Sequence, residues 1–265
     1  MGTLTTIETA DAEQFAESLQ GSPQQRAKAI LAAARTGLPL AQTMLGQILL
    51  EGHGIEQDRT LAITWFNIAA SQGDTMALNM LGRCHEHGWG VEKNEPMAAA
   101  YYQKAADLKL DWAQYNLANL LATGRGTTRD PQQAFALYLQ AANQGHAKSM
   151  NLVGRCYEDG TGVEANPAIA FDWYRRSAEA GDFRGQYSWA TVLLGQGEIE
   201  HACEWLQRAL QGGNLNFLRA TRSALLHAEE TEVREIALAF HTRAAELGDA
   251  SDQAAYEQVA AAQRA

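Results

Sequence analysis

Small and apolar residues recur along this chain with the spacing of one helix face, and the pattern itself repeats. Taking Leu38, Asp74, Leu110, His146 and Asp182 as starting points gives four consecutive units of 36 residues and the beginning of a fifth. Ala41, Ala77 and Ala113 share the fourth column, where Ser149 and Gly185 are also small. Leu45, Leu81, Leu117 and Val153 share the eighth, followed by Gly46, Gly82, Ala118 and Gly154. Together with columns 11 and 12, these positions mark one face of a first helix in each unit. The glycine pairs at 52 and 54, 88 and 90, 124 and 126, and 160 and 162 then end that helix, since glycine accepts the left-handed conformation that helix C-termini use. Asp58, Asn94, Asp130 and Asn166 form a capping column for a second helix, and Pro131 and Pro167 sit at its first turn, where a missing N–H costs little. Ala62, Ala98, Ala134 and Ala170 follow, then the aromatic column Phe66, Tyr102, Tyr138 and Tyr174, and Gly73, Gly145 and Gly181 close the unit.

One helical hairpin cannot bury its apolar face alone, so neighbouring hairpins must stack on it. The expected fold class is therefore all-α, a right-handed α/α solenoid of helical hairpins with a 36-residue period. The ends depart from the pattern. Residues 1–37 form an N-terminal segment and capping hairpin, with helices over Asp11 to Gln20 and Pro23 to Arg35 and with Phe15 and Leu19 one turn apart. Residues 38–181 hold the four regular repeats. Residues 182–248 hold two divergent ones, the first with its loop cut to Gly195 to Glu200 and the second without the glycine loop, and 249–265 form a C-terminal capping helix.

The combination of Ala, Leu-Gly, Gly-x-Gly-Val, Asp or Asn, Ala, an aromatic pair and Ala-Ala at this period resembles the Sel-one-like repeat family, relatives of the tetratricopeptide repeats. Leu38 to Gly181 matches closely and Asp182 to Gly248 weakly. The resemblance implies an α/α superhelix that acts as an adaptor or scaffold for other proteins. Some secreted relatives carry a disulfide within each repeat, a pairing this chain lacks. Cys84, Cys156 and Cys203 are odd in number and too few for a disulfide framework. Cys84 and Cys156 share a column with Ile48 and Leu120, which reads as buried thiols.

Charge narrows the partner. A formal net charge of -10 over 265 residues argues against a nucleic-acid surface, which needs a basic stripe to neutralise phosphates. Met1 to Gly21 shows neither a basic n-region nor an apolar run, and no stretch approaches the length of a membrane span. The expectation is a cytoplasmic protein that binds a protein or peptide, with no nucleic acid, membrane or cofactor.

Chemical motifs give way to structural readings. The Gly-x-Gly loops would suit a phosphate only after a strand and beside a Lys or Ser/Thr partner; these follow helices and recur once per repeat. Cys84-His85-Glu86-His87 has the composition of a metal cluster, yet adjacent and alternate residues of a helix point to different faces. The metal and catalytic expectation is none, and no catalytic signature such as a nucleophile elbow appears.

The informative signal is a second stripe on the first helices, at columns 3, 6, 10 and 13. Column 6 reads Thr43, Asn79, Tyr115, Asn151, Tyr187, column 10 reads Gln47, Arg83, Asn119, Arg155, Thr191, and column 3 adds Met76, Trp112, Lys148 and Arg184. By analogy with tetratricopeptide repeats this stripe lines the concave groove. Amide and guanidinium donors beside aromatic anchors suit protein recognition. Asn79 and Asn151 are expected to bond a partner backbone, Arg83 and Arg155 to take acidic groups, and Trp112, Tyr115 and Tyr187 to anchor apolar side chains; Asn119 and Arg184 complete the set. The competing reading is a solvated face carrying Arg83–Glu86 and Arg155–Glu158 ion pairs. At the level of function, a non-enzymatic adaptor leads, with an inhibitor or immunity protein that blocks a partner enzyme, or a hydrolase whose site is not visible in sequence, as the alternatives.

Overall fold

The structure, a computed structural model, describes residues 19–262. The helix expected over Asp11 to Gln20, Phe15 included, falls almost wholly outside the described residues. Among them run fourteen helices and no strand. They are α1 (Pro23–Arg35), α2 (Pro39–Glu51), α3 (Arg59–Ser71), α4 (Thr75–His87), α5 (Glu95–Asp107), α6 (Asp111–Thr123) and α7 (Pro131–Asn143). They continue as α8 (Ala147–Asp159), α9 (Pro167–Glu179), α10 (Phe183–Gly195), α11 (Ile199–Gly212), α12 (Leu215–Leu225), α13 (Thr231–Leu247) and α14 (Ala250–Ala262).

The chain divides into two compact units, one ending at Asp130 and the other beginning at Pro131. In the first, each of α1 to α5 packs on the helix that follows it. In the second, α7 to α11 pack in the same sequential manner, α12 packs on α13 and α13 on α14, and α13 also meets α11 directly.

Local chemistry sets these boundaries where the pattern places them. Asp58 Oδ1 accepts from the Leu61 N–H at 2.8 Å, Asn94 Oδ1 from Met97 at 2.9 Å and Asn166 Oδ1 from Ile169 at 3.2 Å, each satisfying a donor that a helix N-terminus leaves open. Some first helices have side-chain caps as well, α4 and α10 among them: Asp74 Oδ1 accepts from Ala77 at 2.7 Å and Asp182 Oδ2 from Gly185 at 2.9 Å, whereas Leu38 and Leu110 start α2 and α6 without one. Gly52, Gly88, Gly124 and Gly160 end α2, α4, α6 and α8 in the left-handed conformation.

The second glycine of each loop has a further reason. At Gly90, φ is +72° and an added Cβ would lie 2.3 Å from the Arg59 carbonyl oxygen, so the loop presses its backbone onto the start of the preceding second helix. Inside each hairpin the aromatic column fills the core. Phe66 and Tyr102 are fully buried, and removing a side chain of this size from water contributes about 2–3 kcal/mol. In the second unit Phe217, Leu218, Val233 and Phe240 form the corresponding cluster of the divergent repeats.

Candidate functional site

The first-helix stripe of the first unit lies on α4 and α6. Asn79, expected to face a partner, is buried, and its Oδ1 accepts a 2.9 Å hydrogen bond from Asn116 Nδ2 on α6. In the second unit Asn151 is likewise buried, and its Oδ1 accepts from Ser188 Oγ on α10 at 3.0 Å. Column 6 of these repeats faces the next first helix rather than solvent, and a buried amide needs an internal partner. The two asparagine oxygens therefore link successive first helices, which corrects the expectation that they reach a partner's backbone.

Arg83 is half-buried, its guanidinium 5.2 Å from the Trp89 ring centroid and its Nη1 3.7 Å from Met80 Sδ. Glu86, one turn on, does not take Arg83. It accepts from the Tyr102 hydroxyl at 2.7 Å and pairs with Arg125 at 3.0 Å. Burial first, then the charge and hydrogen bond of Glu86, push the Tyr102 phenol well above its ordinary pKa, so it remains the donor. Beside Arg83 lies a cavity of about 390 Å³ lined by Leu50, Glu51, His53, Gln57, Arg59, Met80, Arg83 and Trp89.

On α6, Trp112 and Tyr115 meet edge to face with ring centroids 6.4 Å apart. Trp112 is 40% exposed, while Tyr115 and Asn119 are half-buried. The Asn79–Asn116 bond joins α4 to α6, so Arg83 and the aromatic pair belong to neighbouring helices of one face.

In the second unit Arg155 is exposed on α8, and Arg184 on α10 lies 4.7 Å from the Phe183 ring centroid. Glu158 accepts from the Tyr174 hydroxyl at 2.6 Å, repeating the Tyr102–Glu86 contact, so it too has a partner other than the arginine of its own helix. Tyr187 is half-buried and packs edge-on to Phe217 at 5.7 Å; burial raises its phenol pKa. It therefore contributes to the core of the divergent repeats while also lining a cavity of about 440 Å³ with Glu158, Phe171, Tyr174, Ser188 and Thr191.

Cys84, His85, Glu86 and His87 go to separate neighbours. Cys84 is buried and burial pushes its thiol up to about 11. His85 stacks on Tyr101 at 5.5 Å, and His87 meets Trp89 at 4.6 Å. No three His, Cys, Asp or Glu side chains among the described residues converge as a metal site. What the column reading missed is Trp89, which sits inside the glycine loop yet flanks both Arg83 and His87. Its signal was an aromatic between two glycines, where His53, Arg125 and Thr161 stand in the other repeats.

The Sel1 repeat model matches residues 39–74, 75–110, 113–146, 147–182, 185–214 and 230–249. The chain belongs to the Sel1 repeat family. Proteins built from Sel1 repeats are generally interaction scaffolds and typically non-enzymatic. A Sel1 repeat protein from Oxalobacter formigenes is 25% identical with a TM-score of 0.76, the match covering 88% of this chain and 98% of that one. The protein c5321, described as a protective antigen present in uropathogenic Escherichia coli strains and displaying the same repeat fold, is 26% identical with a TM-score of 0.67. That match covers 95% of this chain but 56% of c5321. The immunity protein Pa5087 from Pseudomonas aeruginosa is more distant, at 15% identity and a TM-score of 0.48 over 71% of this chain and 74% of its own. A likeness of that size carries no argument about this Sel1 repeat chain. No curated protein matches the sequence.

Proposed function

We propose that this Sel1 repeat protein is a non-enzymatic scaffold that holds a protein or peptide partner on the first-helix face of its repeats, in a cytoplasmic setting. The observation that carries this reading is the exposed Trp112, held edge-on by Tyr115 on α6. A partly exposed, edge-on aromatic pair is an effective anchor for a partner's apolar side chain. Arg83, on the neighbouring first helix α4 and held over the loop residue Trp89, offers a preoriented guanidinium for an acidic group. Arg155 and Arg184 are offered in the same sense by the second unit, with the half-buried Tyr187 beside the cavity it lines. The three unbridged thiols accord with a reducing compartment.

The reading is tested by replacing Trp112 and Tyr115 together with alanine. Truncating a central aromatic anchor is expected to weaken partner binding by about 2 kcal/mol or more, with helicity unchanged by circular dichroism. Partner affinity equal to that of the unaltered protein would remove this face from consideration.

A further inference from the structure

The second helices of the divergent repeats carry a groove that the first-helix stripe does not use. It runs between α11 and α13, with Ile199 and Glu200 opposite Glu232 in one stretch, and Leu210 and Gln211 beside Thr242 and the Arg243–Glu246 ion pair, neutral as a pair, in the next. Its two stretches enclose about 780 Å³ and about 400 Å³. Thirteen residues of α11 from Ile199 to Gln211 flank it, a length of roughly 18 Å at about 1.5 Å per residue, or three turns of a helix laid alongside.

The lining is sorted by chemistry. Ile199, Cys203, Leu210 and Ala239 are half-buried beside the buried Ile236 and form an apolar floor left unsealed by the fold. Glu200 and Glu204 stand on the α11 rim, and Glu232 and Glu235 on the α13 rim, all four exposed. None of the four carboxylates forms a hydrogen bond or ion pair with another described residue. Nor do any three acidic groups converge to hold a metal ion, so they act as a spread negative rim. One rim carboxylate is felt at the floor: the Cys203 thiol is raised by burial first, then by the charge of Glu232 and by that of Glu230, the residue before α13.

We propose that this groove docks a basic amphipathic helix of a partner protein, its apolar stripe on the floor and its lysines or arginines against the two glutamate rims. The floor supplies burial and the paired rims set polarity and register, the usual arrangement of a helix in a groove. The same rims repel acidic helices, nucleic acid and anionic membrane surfaces. This surface is separate from the first-helix stripe and stands or falls independently of it.

The probe is a synthetic amidated peptide of about 14 residues with leucines along one helical stripe and lysines on both flanks, a length set by the groove, measured against the full chain by fluorescence anisotropy. Binding is expected for this peptide and absent for its counterpart with every lysine replaced by glutamate. The Glu204→Gln/Glu232→Gln variant, altered only at exposed positions, is expected to bind about tenfold more weakly. Iodoacetamide labelling read by mass spectrometry is expected to show Cys203 protected by the peptide and Cys156 unaffected, while the Trp112→Ala/Tyr115→Ala variant binds the peptide as before. Absence of binding, equal affinity for the double-glutamine variant, or unchanged Cys203 labelling at saturation would each overturn the proposal.

Discussion

Column 9 is held by glycine wherever an aromatic ring occupies the space of a methyl group. A Cβ on Gly82 would lie 2.5 Å from Cε1 of Tyr102, and one on Gly46 equally close to Cε1 of Phe66. Gly82→Ala is therefore expected to destabilise the protein by about 1–3 kcal/mol, read as a lower Tm, despite alanine's better helix propensity. The turn that closes each unit gives a prediction of opposite sign. Gly37, Gly73, Gly145 and Gly181 adopt φ between 87° and 97° there, whereas the second repeat places Lys109 at φ 68°. Lys109→Gly should relieve left-handed strain and raise stability by up to about 1 kcal/mol, a Tm gain of about 2–4 °C. Both glycine columns were legible in the sequence because backbone geometry admits so few residues. The tyrosine–glutamate contact left a weaker trace: column 13 is Glu86 and Glu158 where column 29 is Tyr102 and Tyr174, and Leu50 where column 29 is Phe66, although Ala122 breaks the pattern. The roles of Asn79 and Asn151 were not legible, because helical periodicity gives the direction of a side chain and not what packs against it.

Among the elements, α14 shows how little of the C-terminal architecture follows from the repeat. Its fully buried Asp252 accepts from Arg219 Nε at 3.0 Å and from Arg222 Nη1 at 2.8 Å, both on α12, and also from the Asp249 backbone N–H at 3.1 Å. The Arg219 hydrogen bonds foremost hold the Asp252 carboxyl well below the usual carboxylate range. No column links residues 219, 222 and 252, so only the structure reveals this clasp. On α13, His241 is buried with neither ring nitrogen hydrogen-bonded to a described residue. Burial first, and then the Arg222 charge, lower its pKa. As pH falls through about 6.5 the unfolded chain takes up the proton before the folded one, so the stability that the neutral imidazole preserves is complete above that pH and declines below it. Asp252 acts at lower pH: its depressed carboxyl contributes above the unfolded value of about 3.9 and the contribution fades as pH falls toward the folded value. A His241→Leu variant should flatten the Tm profile between about pH 7 and pH 5 and leave the acid step below about pH 4 in place. An unaltered slope in the upper window would show that His241 does not control it.

At the scale of the whole molecule, repetition made the fold readable. One hairpin's pattern, copied through Leu38 to Gly181, specified helices, loops and core faces together, and six matched Sel1 repeats agree with it. The divergent repeats were placed by their surviving Ala and aromatic columns, but their direct α11–α13 contact and the groove beside it correspond to no column and are seen only in the structure. The candidate site was legible as a face and only partly as a site: Arg83, Trp112 and Arg155 lie half-buried or exposed, while Asn79 and Asn151 turn inward. Function then rests on whether that face engages a partner. The most direct measurement is quantitative affinity capture from the native cell, with the unaltered chain and the Trp112→Ala/Tyr115→Ala chain as parallel baits matched for helicity and Tm. The scaffold account predicts one or more proteins retained by the first bait and depleted about tenfold or more on the second, whereas the same proteins recovered in equal amounts on both would contradict it.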